Sequence, residues 1–265
     1  VNRNNQYSGS PSLQLFTNLP HREWLYRQAY EVGRQVIGYE LQKIFSAIDW
    51  LESRNTLAGK GVQIGVAGHG EGGLLALYAA ALDKRIQATL GSGYFDQREK
   101  LWQEPMYRNV FGLLNHVGDA EIAVMAWPRK LVIEYAKGPE ITGPPKQTEN
   151  RSGAAPGILT TPLFENAAAE FERAKAMVTG TNHLQWVTAN AKLPAGSPFS
   201  TTAVKEFMSA LHVAYSPAVP QTKLPALPIQ WVDAEQRQER TVKEMEAHIQ
   251  HVVDTCFRTR ERNFW

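Results

Sequence analysis

Hydrophobic positions in the first third of the chain recur with helical spacing. From His21 to Glu52, Leu25, Ala29, Val32, Val36, Ile37, Leu41, Ile44, Ile48 and Leu51 fall mostly three or four residues apart, which predicts a long amphipathic helix. Gly33 and Gly38 interrupt it, so the pattern fits either a kinked helix or two helices. The period then changes. Val62–Ala67, Ile86–Phe95, Lys130–Ala136 and Leu184–Ala189 are short apolar runs that read as buried strands. Between and after them, helices are predicted at Leu74–Leu82, Ala120–Ala126, Pro162–Val178 and Ser200–Leu211, the last capped by Ser200 or Thr201. Strands alternating with helices in this way predict an α/β fold, a mostly parallel sheet flanked by helices.

The remaining segments have turn-forming or charged composition. Residues 1–20 and the loop after Ala136, rich in proline and glycine between Gly138 and Pro145, read as irregular. The stretch Ser216–Pro228 holds four prolines and predicts a linker. Asp233–Arg262 is charged, with Val242, Met245, Ile249, Val252, Val253 and Phe257 on one side, and predicts an amphipathic helix docked on another surface. The expected organisation is therefore a domain over residues 1–215, a linker over 216–232 and a C-terminal helix over 233–265, through which the chain could also oligomerise.

Composition narrows the function classes. The formal charge of +2, from 28 basic and 26 acidic residues, is too balanced to suggest a nucleic-acid partner. No apolar run reaches the roughly 18 residues of a membrane span. Cys256 is the only cysteine, which excludes an intrachain disulfide and a cysteine-based metal site. Nothing in the sequence calls for a cofactor or a metal.

The informative chemistry lies in Ile64–Leu75, IGVAGHGEGGLL, a strand running through a glycine-rich turn into a helix. Gly68, Gly70 and Gly73 match a dinucleotide fingerprint, with Asp96 near where a ribose-binding acid would fall. Against that, Glu71 would place a carboxylate beside the pyrophosphate. The same residues also fit the G-x-S-x-G nucleophile elbow, with Gly68 and Gly72 as its glycines, His69 before the nucleophile position, Gly70 at it and Glu71 after it. A third reading is a tight turn that only packs.

The wider sequence resembles the α/β-hydrolases, and among them the dienelactone-hydrolase and acetyl-xylan-esterase group. The likeness is carried by Gly65–Leu74 with Tyr78–Ile86, by Gly118–Ala123 with Pro128–Glu134, and by Pro20–Glu23 to Gly38–Glu40, and covers about residues 1–212. It implies an acyl or acetyl ester of a carbohydrate as ligand class, and by analogy an extracytoplasmic setting. It also implies a degenerate triad. Gly70 has no side chain to attack with. Glu134 and Glu140, or Asp96, stand where the acid is expected, while Asn190–Phe199, where the base is expected, holds no histidine. His183 and His212 lie on either side of that loop. In this fold the elbow follows the fifth of eight strands, so the resemblance implies either that the chain is a fragment, its domain incomplete ahead of Val62, or that a further polypeptide completes the sheet. Two functions follow: an ester hydrolase working through an altered site, with Glu71 or His69 contributing, or an inactive relative kept as a binding or scaffold subunit.

Three other features read as structural. Ser92 in Gly91-Ser92-Gly93 resembles a nucleophile turn but lacks a helix directly after it. His248 and His251, with Glu244, share one helix and read as a solvated face. The tryptophans are scattered and read as packing.

Overall fold

The computed structural model describes residues 4–59, 61–188, 196–216 and 233–263. In chain order the elements are β1 (Gly9–Ser10), β2 (Leu15–Thr17), α1 (His21–Glu31), α2 (Val36–Leu57), β3 (Ile64–His69), α3 (Glu71–Leu82), β4 (Ile86–Ser92) and α4 (Asp119–Met125). There follow β5 (Lys130–Tyr135), β6 (Ile141–Thr142), β7 (Arg151–Ser152), β8 (Ile158–Leu159), α5 (Phe164–Ala176), β9 (Leu184–Thr188), α6 (Thr201–Ala210) and α7 (Ala234–Asn263). The chain forms two compact units, residues 37–142 with 157–215, and residues 2–36 with 143–156 and 216–265.

The first unit is α/β. Its sheet has the order β3-β4-β5-β9, and every pair is parallel. Strands buried on both faces need apolar residues at successive positions, which is why they read as continuous runs. One face, from Ile86, Leu131, Ile133 and Leu184, packs on Ile37, Leu41 and Ile48 of α2, Leu74 and Leu77 of α3, Ile122 of α4 and Phe171 of α5. The other, from Leu90, Val132 and Val187, packs on Ala203, Val204 and Phe207 of α6. Each large side chain so buried contributes about 1.5–3 kcal/mol. In the same unit β6 and β8 form a short antiparallel ladder inside the stretch read as irregular.

The second unit holds the ladder β1-β2-β7 and the helices α1 and α7. The amphipathic helix docks on α1: Val242 and Ile249 are buried, and Trp24 Nε1 donates to Glu246 at 2.7 Å. Arg151 ties the ladder together by donating to the carbonyls of Asn5 and Thr17. Apart from Ser216, the linker expected over 216–232 lies outside the described residues.

Several boundaries differ from the sequence reading. Of the two readings of His21–Glu52, two helices is the one found, with the break after Glu31 where Gly33 takes φ +70°, but the second runs on past Glu52 to Leu57. Gly38 lies inside its first turn without breaking it. The strand expected to reach Phe95 stops at Ser92, because Gly93 turns the chain with φ +61°. Among the described residues no helix is long and apolar enough to cross a membrane.

Candidate functional site

The strands end together at the carboxyl edge of the sheet, where ligands bind in open α/β folds. There β3 ends at His69 and α3 begins at Glu71, so Gly70 alone makes the reversal. Its φ of +55° and ψ of −116° suit glycine and strain other residues. The bend is held from both sides: Gly70 N–H donates to the Ser92 carbonyl at 2.9 Å, and its own carbonyl accepts from Leu74 N–H at 3.0 Å. A side chain at Gly68 would overlap the Gly72 carbonyl. At Gly70 a Cβ would lie 2.5 Å from Cδ and 2.7 Å from Cγ of Pro139. A proline ring thus covers the position that the sequence assigned to a nucleophile.

The flanking residues have structural partners. His69 Nε2 lies 2.7 Å from the Lys137 carbonyl and therefore donates to it, and its ring meets Phe199 edge-on. Glu71, at the start of α3, pairs with the buried guanidinium of Arg108. Arg108 Nε also donates to Glu104 at 2.5 Å, and Arg98 donates to the same carboxylate oxygen at 2.9 Å. Tyr94 Oη donates to Asp119 at 2.9 Å, while the other Asp119 oxygen accepts from Asp96 N–H at 3.4 Å. Both guanidiniums lie over the Tyr94 ring, at 5.2 and 5.6 Å.

This cluster borders a cleft of about 20 Å³, framed by Gly70, Asp96, Arg98, Glu104, Arg108 and Pro139. That is room for a water molecule, and far less than a pyrophosphate needs. His69 is not among the residues lining it.

Two cations, Arg98 and Arg108, here face four carboxyls, Glu71, Asp96, Glu104 and Asp119. Burial pushes Asp96 up to about 7, against the pull of Arg98, and Asp119 up to about 6 by the same balance. Burial also raises Glu104, and raises the Tyr94 phenol well above its usual range with help from Asp119. The cluster therefore retains protons near neutral pH that exposed carboxyls would have lost.

Of the acids assigned from the sequence, Asp96 lines the cleft with Gly70, whereas Glu134 and Glu140 do not. Glu134 lies within β5, buried, where it accepts from Ser92 Oγ at 2.6 Å and from the backbone of Phe199 and Ser200 at 2.7 and 2.8 Å. It thus serves the start of α6 as a cap. Glu140 is exposed and accepts from Thr161 at 3.2 Å. Ser92, the last residue of β4, is fully buried against Glu134. His183 precedes β9 at the opposite edge of the sheet, against Trp127, and His212 is an exposed residue just past α6. Residues 190–195 of the loop expected to carry a base lie outside the described residues. His248, His251 and Glu244 are exposed on α7, and no group of three metal-ligating side chains occurs among the described residues.

Of the residues at the cleft, only Gly70 and Asp96 were singled out by the sequence. Tyr94, Arg98, Glu104 and Arg108 follow no period. The one available signal was several charges in Asp96–Arg108, DQREKLWQEPMYR, directly after a buried strand. In comparisons with protein-family models, curated proteins and solved structures, nothing matches this chain.

Proposed function

We propose that this chain is a non-catalytic relative of the α/β-hydrolases, of the dienelactone-hydrolase and acetyl-xylan-esterase kind, retained as a binding or scaffold subunit. The observation that carries the reading is the covered bend: position 70 has no side chain, and Pro139 fills the space beside it. Acyl transfer through a hydroxyl needs a nucleophile, a base within reach and room for the acyl group. Here Glu71 is held by Arg108, His69 by the Lys137 carbonyl, and Glu134 by Ser92 and the start of α6. Each candidate group is thus engaged by a structural partner. The small cleft likewise argues against the dinucleotide reading.

A second reading rests on Asp96. Its carboxyl lines the cleft beside Gly70 and titrates near neutrality, as a general base for a bound water would. Hydrolysis of p-nitrophenyl acetate separates the two. The purified chain and its Glu71→Gln variant are expected to match buffer, and Gly70→Ser gains no activity because Pro139 crowds the new side chain. Turnover that Glu71→Gln abolishes overturns the scaffold reading, and turnover that only Asp96→Asn abolishes establishes the second one.

A further inference from the structure

Within the second unit, α7 is held by polar contacts from the segment ahead of β1. Asn4 Nδ2 donates to Gln238 at 3.1 Å, Gln6 Nε2 to Glu235 at 3.0 Å, and Tyr7 Oη to the same Glu235 oxygen at 3.3 Å. At both ends that segment is held in turn by His21, the first residue of α1. The His21 main-chain N–H donates to the Asn4 carbonyl at 2.9 Å, and its Nε2 accepts from Tyr7 N–H at 3.0 Å. The Tyr7 ring stacks on the imidazole with centroids 5.4 Å apart. His21 is buried. A ring whose Nε2 accepts is neutral and carries its proton on Nδ1, and Nδ1 is itself buried with no acceptor among the described residues. The imidazole therefore has no place for a second proton: on Nε2 it would point at the Tyr7 N–H.

We infer that His21 is an acid-operated latch on α7: protonation of its ring breaks the bond to Tyr7, frees the Asn4–Tyr7 segment and undocks the helix, uncovering Val242 and Ile249. The surroundings oppose a charged ring. Arg151 of β7, which holds the carbonyls of Asn5 and Gln6, repels it. Glu246 of α7 attracts it, but that carboxylate is engaged by Trp24 and Lys243. Glu23, on α1 itself, is turned to Arg27 and to the Ala155 N–H. Burial first, and Arg151 second, hold the His21 pKa below its ordinary 6.5, against the pull of Glu246. In the undocked state the ring regains that ordinary value. As pH falls below 6.5 the undocked state therefore binds more protons than the docked one, and docking weakens by up to about tenfold per pH unit until the docked ring also titrates. Near neutral pH the latch is closed; in acid it presents an apolar helix face that was covered.

Hydrogen exchange read by mass spectrometry on the whole chain, between about pH 7.5 and 5 and corrected for the intrinsic rate, tests this, because an undocked helix frays. Peptides from α7 of the wild-type chain are expected to exchange faster by up to about tenfold per pH unit below 6.5, while peptides from β4 and β5 keep their protection. His21→Gln offers a carboxamide oxygen to Tyr7 N–H and does not titrate, so its α7 is expected to exchange at one rate throughout. Should that variant not fold, Glu246→Gln decides. Its amide oxygen still accepts from Trp24 but no longer steadies a charged His21, and the acid-induced acceleration should grow. The inference is overturned by wild-type α7 exchange that does not depend on pH, or that accelerates in step with β4 and β5. An acceleration that persists in His21→Gln, or that stays level or shrinks in Glu246→Gln, overturns it as well, since another group would then be the one that titrates.

Discussion

Two segments border the cleft at the sheet's carboxyl edge, and they are specified in opposite ways. Ile64–Leu75 owes its shape to residues adjacent in sequence: glycines at the points where the Gly72 carbonyl and the Pro139 ring approach most closely. Asp96–Arg108 owes its arrangement to distant partners, with Arg108 reaching back to Glu71 and Arg98 held between Glu104 and the surroundings of Asp119. The turn has a sharp backbone bend and no side chain at its apex. The cluster has titratable groups at shifted values and no motif. A motif of glycines therefore reports backbone shape, and chemistry has to be sought in what the shape brings near.

The sharpest way to break this comparison is to remove a cation from the cluster. Arg98→Met keeps much of the side-chain volume and leaves Arg108 alone among four carboxyls. Stranding buried charges in this way costs about 3–5 kcal/mol. Urea denaturation is expected to show a loss of that size. A loss below about 1 kcal/mol would mean that water already screens the cluster, as for a surface ion pair.

Most of the first unit was legible because its strands are buried on both faces. Runs such as Lys130–Tyr135 leave little alternative to a central strand, and Ser200 marked the start of α6. Boundaries failed where one backbone angle decided them, as at Gly93, since glycine permits a left-handed conformation without requiring it. The roles of the acids failed for another reason. Glu134 was placed on its strand correctly, but its work depends on Ser92 and on Phe199 and Ser200, 42 to 66 residues away. No local pattern encodes contacts at that separation.

A smaller effect sharpens the contrast through pH. Asp96 has an ordinary value of 3.8 and a folded value of about 7, so between those limits the folded chain binds more protons than the unfolded one. Its contribution is a penalty that is absent below about pH 4 and complete above about pH 7. Stability should therefore fall as pH rises through this window, with Asp119 adding to the slope up to about 6. Asp96→Asn is expected to flatten that fall and to gain about 2 kcal/mol at pH 8, after discounting for the partial exposure of the carboxyl. Thermal melts of both proteins from pH 5 to 8 check it, and parallel curves would show that Asp96 titrates at its ordinary value.

The smallest effect lies where a local and a distant interaction meet at one helix end. Ser200 Oγ accepts from Ala203 N–H at 3.3 Å, the cap expected from sequence, while Glu134 holds the backbone N–H groups of Phe199 and Ser200. A lone N-cap is worth about 1 kcal/mol. With Glu134 still in place, Ser200→Ala should cost about 0.5 kcal/mol, because the first turn stays anchored from the strand. In a Glu134→Gln background, where the charge-assisted bonds are weakened, the same substitution should cost the full amount. A double-mutant cycle measured by urea denaturation reads the difference directly. Equal costs in the two backgrounds would mean that the cap and the buried carboxylate act independently, and that α6 begins where its own sequence places it, whatever Glu134 does.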